Sequence, residues 1–444
     1  MIPLHRKVVA GCLLALALIG ITAIVARVLA GLGGDRTTQL PVPLTPLLVA
    51  RGAYLAQVGD CTACHTAPGG ASFSGGLAIP SPIGVIFSSN ITPDRKTGIG
   101  GYTYGDFERA VRRGILQSGQ AEYPAMPYPS YSRITDGDVA ALYAYFMHGV
   151  APISSKNKFE QIPWPLSMRW PLIYWRWLFA PATRPFAPVV GENPTVARGA
   201  YLVEGLGHCG ACHTPRAFTM QEEALMPQDG LRYLAGSKFN DWFAPSLRGQ
   251  RTVGLGKWVG ADIEEFLKIG KTDNNAAFGA MGDVVLHSTQ FMTAADRAAI
   301  AGFLQTLPAG SGEGTAAATA ANPPSSGVVR TGEQIYRDHC AACHQVAGTG
   351  FPSSFPALAG NPIVNTADAT SVIHIVLAGD AEVHTHGGPP SMTMPSFHAK
   401  LSDNEIADLL SYVRSSWGNH GPAVSSAQVK TLRAAIGEAE PEDK

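Results

Sequence analysis

A cysteine–histidine string occurs three times in this chain and constrains its folding more than any other feature. It reads CTACH at 61–65, CGACH at 209–213 and CAACH at 340–344, and it uses six of the seven cysteines. The first string follows ARGAYLAQVGD, and the second follows ARGAYLVEGLGH, which has one residue more. The third follows VRTGEQIYRDH, which keeps the Arg/Gly/Tyr spacing more loosely. Apolar positions in these frames recur at three and four residues, so each is predicted to be a short helix in a tandem repeat.

Each repeat also ends on a similar pattern. The closing segments lie at 134–149, 292–308 and 401–418. Each begins with a Ser or Thr that an acid follows three residues later, and the pairs are Thr135 with Asp138, Thr293 with Asp296, and Ser402 with Glu405. These pairs resemble capping boxes, in which both side chains bond to backbone N–H groups at a helix start. A closing helix is therefore predicted for every repeat.

These landmarks define the predicted organisation, an all-α fold of three tandem domains preceded by one N-terminal transmembrane helix. The predicted domains occupy 45–186, 187–308 and 328–420. A flexible linker rich in small residues is predicted for 309–327, a polar tail for 421–444 and a membrane segment for 1–34.

The membrane segment is predicted from its flanking charges. His5, Arg6 and Lys7 precede an apolar run at 8–26, a length close to that of a spanning helix. Positive residues in front of the run predict a cytoplasmic N-terminus. The body of the protein is then expected on the periplasmic side of the cytoplasmic membrane, anchored by this helix. Cleavage after Val28-Leu29-Ala30 is the alternative. Cys12 lies within the run and is interpreted as a buried apolar thiol.

The repeated string predicts covalent haem c. Two cysteines three apart on a helix share one face, so both thiols reach one flat ligand, and the adjacent histidine can ligate its iron. The predicted thioether residues are Cys61, Cys64, Cys209, Cys212, Cys340 and Cys343, and the predicted axial histidines are His65, His213 and His344. A zinc site would require two such pairs at closer spacing. A thioredoxin-like pair requires a βαβ setting, and structural disulfides leave the histidines unexplained.

The sixth iron position separates an electron carrier from a catalyst. A methionine follows each string: Met126 in YPAMPYPSY, Met281 in FGAMGDVV and Met394 in MTMPSF. A closed site with methionine favours electron transfer. Met392, His384 and His386 compete with Met394 in sequence. The remaining histidines, His374 among them, are interpreted as structural or exposed.

The charge pattern and one aromatic segment bear on the partners. The net charge is −1 and the sequence lacks a long basic run, so a nucleic acid partner is not expected. The segment WPLSMRWPLIYWRWLFAP at 164–181 holds four of the seven tryptophans. This composition suits a membrane interface or a docking surface. An aromatic strap packed between the first two repeats is the alternative, and a quinone pocket is consistent with either placement.

The chain resembles the tri-haem cytochrome c subunits of membrane-bound periplasmic dehydrogenases of acetic acid bacteria, which oxidise alcohols, aldehydes, gluconate or sorbitol-type sugar alcohols. The resemblance lies in the three strings and in SPIGVIFSSNITPD (81–94), YPAMPYPSYSRITDGD (123–138) and HCGACHTPRAFTMQE (208–222). It implies that the three tandem domains are cytochrome c domains, which carry three covalent haem c groups with Met126, Met281 and Met394 as distal ligands.

The resemblance also implies partners. A separate catalytic subunit, dependent on pyrroloquinoline quinone or molybdenum, would oxidise the alcohol or aldehyde, and a small third subunit can accompany it. The haems would relay the electrons to ubiquinone in the membrane, so substrate oxidation is not expected in this chain. Two rival functions remain open at this point: a catalytic cytochrome with an open sixth position in the third repeat, and a purely structural anchor for a dehydrogenase.

Overall fold

A computed structural model describes most of the chain. The described residues are 11–22, 24–25, 39–180, 182–239, 241–310, 324–381, 383–389 and 392–439. The chain divides into two compact units. The first comprises Met1–Ala56 with Cys64–Ala187, and the second comprises Gln57–Ala63 with Pro188–Lys444. The predicted linker lies largely outside the described residues.

The N-terminal prediction is wrong. Residues 11–22 form helix α1, while 1–10, 23 and 26–38 lie outside the described residues. Among the residues that the structure describes, no helix combines the length and the apolar character needed to cross a membrane. The predicted N-terminal anchor, and the location at the periplasmic side of the cytoplasmic membrane that depended on it, are not supported.

The predicted all-α class is also wrong, because the described residues combine helix with long coil and three two-stranded antiparallel hairpins. The 49 glycines and 33 prolines break the chain into short elements. The first part contains helices α2 (Pro46–Val58), α3 (Cys61–His65), α4 (Tyr104–Arg113), α5 (Tyr128–Tyr131), α6 (Asp136–His148) and α7 (Pro171–Phe179). Strand β1 (Ala78–Ser81) pairs with β2 (Gly84–Phe87), and Ala78 lies opposite Phe87.

The second compact unit contains the second and third strings. Its first part has α8 (Pro194–Tyr201), α9 (Gly210–His213), α10 (Gly260–Ile269), α11 (Ala280–His287) and α12 (Ala294–Thr306). Its second part has α13 (Ser326–His339), α14 (Ala341–His344), α15 (Pro362–Asn365), α16 (Thr370–Ala378), α17 (Asp403–Ser415) and α18 (Ser426–Ala439). The hairpins are β3 (Ser237–Phe239) with β4 (Trp242–Ala244), and β5 (Asp380–Ala381) with β6 (Thr393–Met394). Two 3₁₀ turns, Pro227–Asp229 and Thr289–Phe291, complete the unit's helical segments.

A π-helical turn absorbs the residue inserted in the second frame. Helix α8 continues into a π-helix over Leu202–Leu206, all of it buried. Such turns carry one residue more than the regular helix. In the first frame, α2 is regular up to Val58. Residue His208, like Asp60 in the first frame, then has a positive φ and stands directly before the first cysteine.

The opening helix of each repeat crosses the closing helix at a glycine. A Cβ atom at Gly52, Gly199 or Gly332 would overlap the carbonyl oxygen of Ala141, Ala299 or Asp408, respectively. These pairs join α2 to α6, α8 to α12, and α13 to α17. Glycine is therefore required at these three positions, because any side chain would force the helices apart.

The three predicted helix starts are confirmed. The hydroxyls of Thr135, Thr293 and Ser402 accept from the N–H groups of Asp138, Asp296 and Glu405. The reciprocal bond of a full capping box forms in the third helix, where the Ser402 N–H donates to Glu405 over 2.8 Å. In the first two, the acid instead accepts from an arginine of the opening helix. Arg51 donates to Asp138 and Arg198 donates to Asp296, each over 2.8 Å.

The third repeat packs its closing helices around one apolar core. Ile406, Leu409 and Leu410 of α17 lie in this core with Val429 and Leu432 of α18. Helix α18 falls within the segment predicted as a polar tail, and its apolar face explains why it folds back on the domain.

Candidate haem-binding sites

Each cysteine–histidine string forms one helical turn, as the motif requires. The string at 61–65 is helix α3, and in α9 and α14 the first cysteine caps the turn. The His213 N–H donates to the Cys209 carbonyl over 3.0 Å, and the His344 N–H donates to the Cys340 carbonyl over 2.9 Å. Both thiols of a string therefore project from one face of a rigid turn.

The three histidines share one hydrogen-bond arrangement. Their Nδ1 atoms lie 2.8, 2.7 and 2.9 Å from the carbonyl oxygens of Ser89, Pro245 and Pro356, and the rings are those of His65, His213 and His344. A carbonyl only accepts, so Nδ1 carries the proton and Nε2 keeps its lone pair. Burial lowers the pKa of all three imidazoles. Each string therefore presents a neutral, oriented imidazole nitrogen. Hydrogen bonds to the other ring nitrogen orient metal-binding histidines in the same way.

Burial dominates the electrostatics of three of the string cysteines. It raises the pKa of Cys209 to about 12, of Cys212 to about 11 and of Cys340 to about 12. None of the seven cysteines, all within the described residues, forms a disulfide. The part of the chain that the structure describes also contains no cluster of three or more His, Cys, Asp or Glu residues suited to a metal ion. The residues fit thioether attachment of haem c.

The predicted distal methionines lie on three different supports. Met126 is in a loop, where its carbonyl accepts from the Tyr128 N–H over 2.8 Å. Met281 is the second residue of α11, and Met394 is in β6. Met394 packs against the third core, as does Cys340. Met126, Met281 and Met394 stay predicted as the distal residues.

The competitors of Met394 are more exposed. Met392 is 39% exposed, and His384 and His386 are also exposed. The His386 N–H donates to the Gln290 side chain, and its ring lies 6.0 Å from that of Phe291. Burial therefore favours Met394 as the distal residue of the third site.

A half-buried acid, Glu222, lies beside the second string and was not predicted from the sequence. The Glu222 carboxylate lies so close to Gly210 that a Cβ atom there would approach it within 2.6 Å. Burial raises the pKa of Glu222 to about 7, and the charge of Arg216 opposes the rise. Arg216 in turn donates to the Ala211 carbonyl over 2.6 Å. The only sequence signal was the run of polar residues after the string, which had no distinctive spacing.

The tryptophan-rich segment contacts the loop that holds Met126. Trp175 of α7 makes an edge contact with Tyr128, with ring centroids 6.2 Å apart. The Arg169 guanidinium lies 4.3 Å from the centre of the Tyr123 ring and donates to the Ala121 carbonyl. These partners flank Met126 on both sides. The segment thus packs against the loop that holds Met126. Trp177 on the same helix is 76% exposed.

Residues 196–308 and 329–417 match the cytochrome c family. This is the class of protein that C-x-x-C-H turns with carbonyl-bound histidines define. The chain is 49% identical over 395 residues to the gluconate 2-dehydrogenase cytochrome c subunit of Pantoea cypripedii, covering 87% of this chain and 89% of that protein. It is 47% identical to the cytochrome c subunit of the quinone-type alcohol dehydrogenase of Gluconobacter oxydans, covering 87% and 82% of the two chains.

A third relative is more distant. The fructose dehydrogenase cytochrome subunit of Gluconobacter japonicus is 36% identical, and the match covers 91% of this chain and 87% of that protein. The chain belongs to the family of cytochrome c subunits of alcohol, gluconate and fructose dehydrogenases. This confirms the resemblance seen in the sequence. Family membership also implies covalently bound haem c.

Proposed function

We propose that this chain is an electron-transfer subunit that carries three covalent haem c groups. It relays electrons from the catalytic subunit of an alcohol or aldehyde dehydrogenase to ubiquinone. The observation that carries the proposal is the threefold arrangement in which each histidine of a C-x-x-C-H turn donates through Nδ1 to a carbonyl. When bound, haem c supplies a one-electron iron couple.

The proposed ligands follow from this arrangement. His65, His213 and His344 hold the proximal positions through Nε2, and Met126, Met281 and Met394 hold the distal ones. The cysteines of each turn form the thioethers. We assign one haem to each proposed domain, 45–186, 187–308 and 328–420. In this assignment the protein would occupy both axial positions of each of the three haem irons. Such closed sites favour electron transfer over catalysis on a bound substrate.

The proposed partners follow from the relatives. Those proteins are named as subunits of gluconate, alcohol and fructose dehydrogenases, and one alcohol dehydrogenase is named as a quinone enzyme. We infer a separate catalytic dehydrogenase subunit as the electron donor, dependent on pyrroloquinoline quinone or molybdenum, with a small third subunit as a further partner. Ubiquinone is the inferred acceptor. Purification of the native complex and analysis of its cofactor content identify the catalytic partner.

The haem assignment is tested on the matured protein. Its intact mass should equal the polypeptide with three haem groups, and the oxidised protein should show methionine-to-iron charge-transfer absorption. Met281→Ala or Met394→Leu should each remove about a third of that absorption, because each site contributes equally in this assignment. Met292→Leu and Met392→Leu serve as matched controls, since neither is a proposed ligand.

Two outcomes contradict the proposal. A haem count other than three contradicts the proposed cofactor content. Loss of the charge-transfer absorption in Met392→Leu would assign the third distal position to Met392 instead of Met394.

A third experiment tests the relay itself. In the complex, reduction of a ubiquinone analogue should stall in Met281→Ala but not in Met292→Leu. Unchanged quinone reduction in Met281→Ala would leave the chain with a structural role.

A further inference from the structure

The second and third repeats meet at a joint that lies beside two of the candidate haem sites, both within the second compact unit. The inter-repeat joint comprises Trp242, Phe243 and Gly279 from the second repeat, and Ser371, His374 and Asp380 from the third. Its aromatic part is a stack of the Trp242 and His374 rings, with centroids 3.8 Å apart and an interplanar angle of 21°. His374 Nδ1 also donates to the Asp241 carbonyl over 2.9 Å.

A buried hydroxyl adds two hydrogen bonds to the joint. The Phe243 N–H donates to Ser371 Oγ over 2.8 Å, and that hydroxyl donates to the Phe243 carbonyl over 3.0 Å. Ser371 is 1% exposed and Phe243 is 6% exposed. One side chain of α16 therefore satisfies both backbone groups of a residue in β4, much as a neighbouring strand would.

The joint reaches the distal side of both sites. The Gly279 N–H donates to Asp380 Oδ2 over 2.9 Å, and Gly279 stands two residues before Met281. Asp380 is in turn the β-ladder partner of Met394. Asp380 thus connects the two elements: its carboxylate accepts from the residue that precedes helix α11 of Met281, and its backbone pairs with the strand of Met394.

Gly279 fits this place because it has no side chain. Its φ is +52°, in the region that favours glycine. A Cβ atom there would meet the Trp242 ring at 2.6 Å. The indole therefore packs on the backbone that leads to Met281, and the same tryptophan lies three residues before Pro245, the carbonyl partner of His213. Trp242 therefore packs against the backbone that precedes Met281, the proposed distal ligand. It also lies close in the chain to Pro245, which binds the proposed proximal ligand His213.

We propose that the inter-repeat joint is a positioning element that sets the distal methionines of the second and third sites together, with Asp380 as its central residue. The proposal rests on the proposed function, because it concerns the placement of the proposed ligands. It assigns Trp242, His374 and Asp380 a role that no single repeat requires. A disturbance of the joint should change both sites at once, since packed elements shift as discrete units.

The test uses the matured full-length protein and three variants. Asp380→Ala removes the acceptor of the Gly279 N–H, whereas Asp380→Asn keeps an acceptor oxygen in the same place. Asp273→Ala is the matched control, because it removes a peripheral bond between the same repeats, from Ser353 Oγ to Asp273 Oδ1 at 3.0 Å. The readouts are the paramagnetically shifted methyl resonances of the ligand methionines and the hydrogen exchange of the Gly279 amide.

We expect Asp380→Ala to shift the resonances of both Met281 and Met394 and to leave that of Met126 in place. The Gly279 amide should exchange about tenfold faster, as expected for a lost hydrogen bond. Asp380→Asn should restore the original values, and Asp273→Ala should change neither readout. A shift confined to Met394, or an equal response to Asp273→Ala, would overturn the joint.

The two proposals fail in different ways. If the unaltered protein shows no shifted methionine resonances, the proposed ligand set fails. If the shifted resonances are present but Asp380→Ala leaves them and the hydrogen exchange of the Gly279 amide unchanged, the joint fails and the ligand set stands. If Asp380→Ala does not fold, Trp242→Phe and His374→Phe test the stack instead. Both keep a ring, and Trp242→Phe should shift the Met281 resonance more than His374→Phe does, because Trp242 packs directly on Gly279. An equal or smaller shift would overturn the joint.

Discussion

The second and third repeats use the same crossing of helices but fasten it differently. Both have a glycine where the opening helix meets the closing one, Gly199 and Gly332. In the second repeat, Arg198 of the opening helix binds Asp296 at the start of the closing helix. In the third, Thr331 occupies the position of that arginine, and Glu405 bonds back to its own cap residue. The crossing is thus fixed by shape, while the charge pair is an optional addition.

The largest expected effect comes from breaking the shape that the two repeats share. Gly199→Ala and Gly332→Ala should each lower the free energy of unfolding by about 3 kcal/mol, because the new methyl group overlaps a backbone carbonyl that cannot move without separating the helices. Chemical denaturation of the matured protein measures this change.

A glycine on the same closing helix gives the control. Gly302 of α12 has open space at its Cβ position, so Gly302→Ala should raise the free energy of unfolding by up to about 1 kcal/mol through helix propensity. If Gly199→Ala is neutral, the helices do not approach as closely as the structure shows. If only one of the two crossings responds, the repeats do not share this requirement.

A smaller effect is expected from the charge pair that distinguishes the repeats. The Arg198 side chain is 35% exposed and that of Asp296 is 10% exposed. Arg198→Gln leaves a largely buried carboxylate without its cation and should cost about 2 kcal/mol. Arg337→Gln in the third repeat breaks an exposed pair with Glu333 within α13 and should cost much less, because solvent screens this pair. Thermal unfolding of the two variants compares them, and equal losses would show that Arg198 contributes no more than a surface charge.

The last comparison concerns Glu222, the half-buried acid beside the second string. Because the pKa of Glu222 is raised to about 7 in the folded protein from an ordinary 4.5, the folded state binds this proton more tightly than the unfolded state. Its contribution to stability is present below about pH 4.5 and is lost as the pH rises through about 7. Glu222→Gln should remove this loss.

Unfolding at about pH 5 and about pH 8 checks the sign. Relative to the original protein, Glu222→Gln should be the more stable at the higher pH. An exposed acid of the third repeat supplies the contrast. Glu405→Gln, which changes an exposed capping acid, should not gain stability with rising pH. A gain in Glu405→Gln equal to that in Glu222→Gln would mean that general charge effects, rather than burial, dominate.

The sequence predicted features that depend on neighbours along the chain. The caps at Thr135, Thr293 and Ser402 involve residues three apart, so their pattern was sufficient. The cysteine–histidine turns were predictable for the same reason. Short strands such as β1 and β2 were not, because four residues show too little alternation to separate a strand from coil. The predicted membrane helix relied on flanking charges and on the length of an apolar run, and the described residues did not bear it out.

Contacts between distant residues were beyond the reach of the sequence. His374 had no paired partner along the chain and was interpreted as structural or exposed, yet its ring stacks on Trp242. Glu222 carried no spacing signal, and its raised pKa comes from burial in the folded chain. The arginine partners of Asp138 and Asp296 were hidden because each acid was assigned to its own helix cap.

The π-helical turn at Leu202–Leu206 has a consequence for how such chains can change in length. Adding one residue to a regular helix rotates everything beyond it by about 100°, which would turn the second string away from its carbonyl partner. A widened turn takes up the surplus locally and restores the phase. The approach to each string can therefore gain or lose a residue at this point while the histidine keeps its direction.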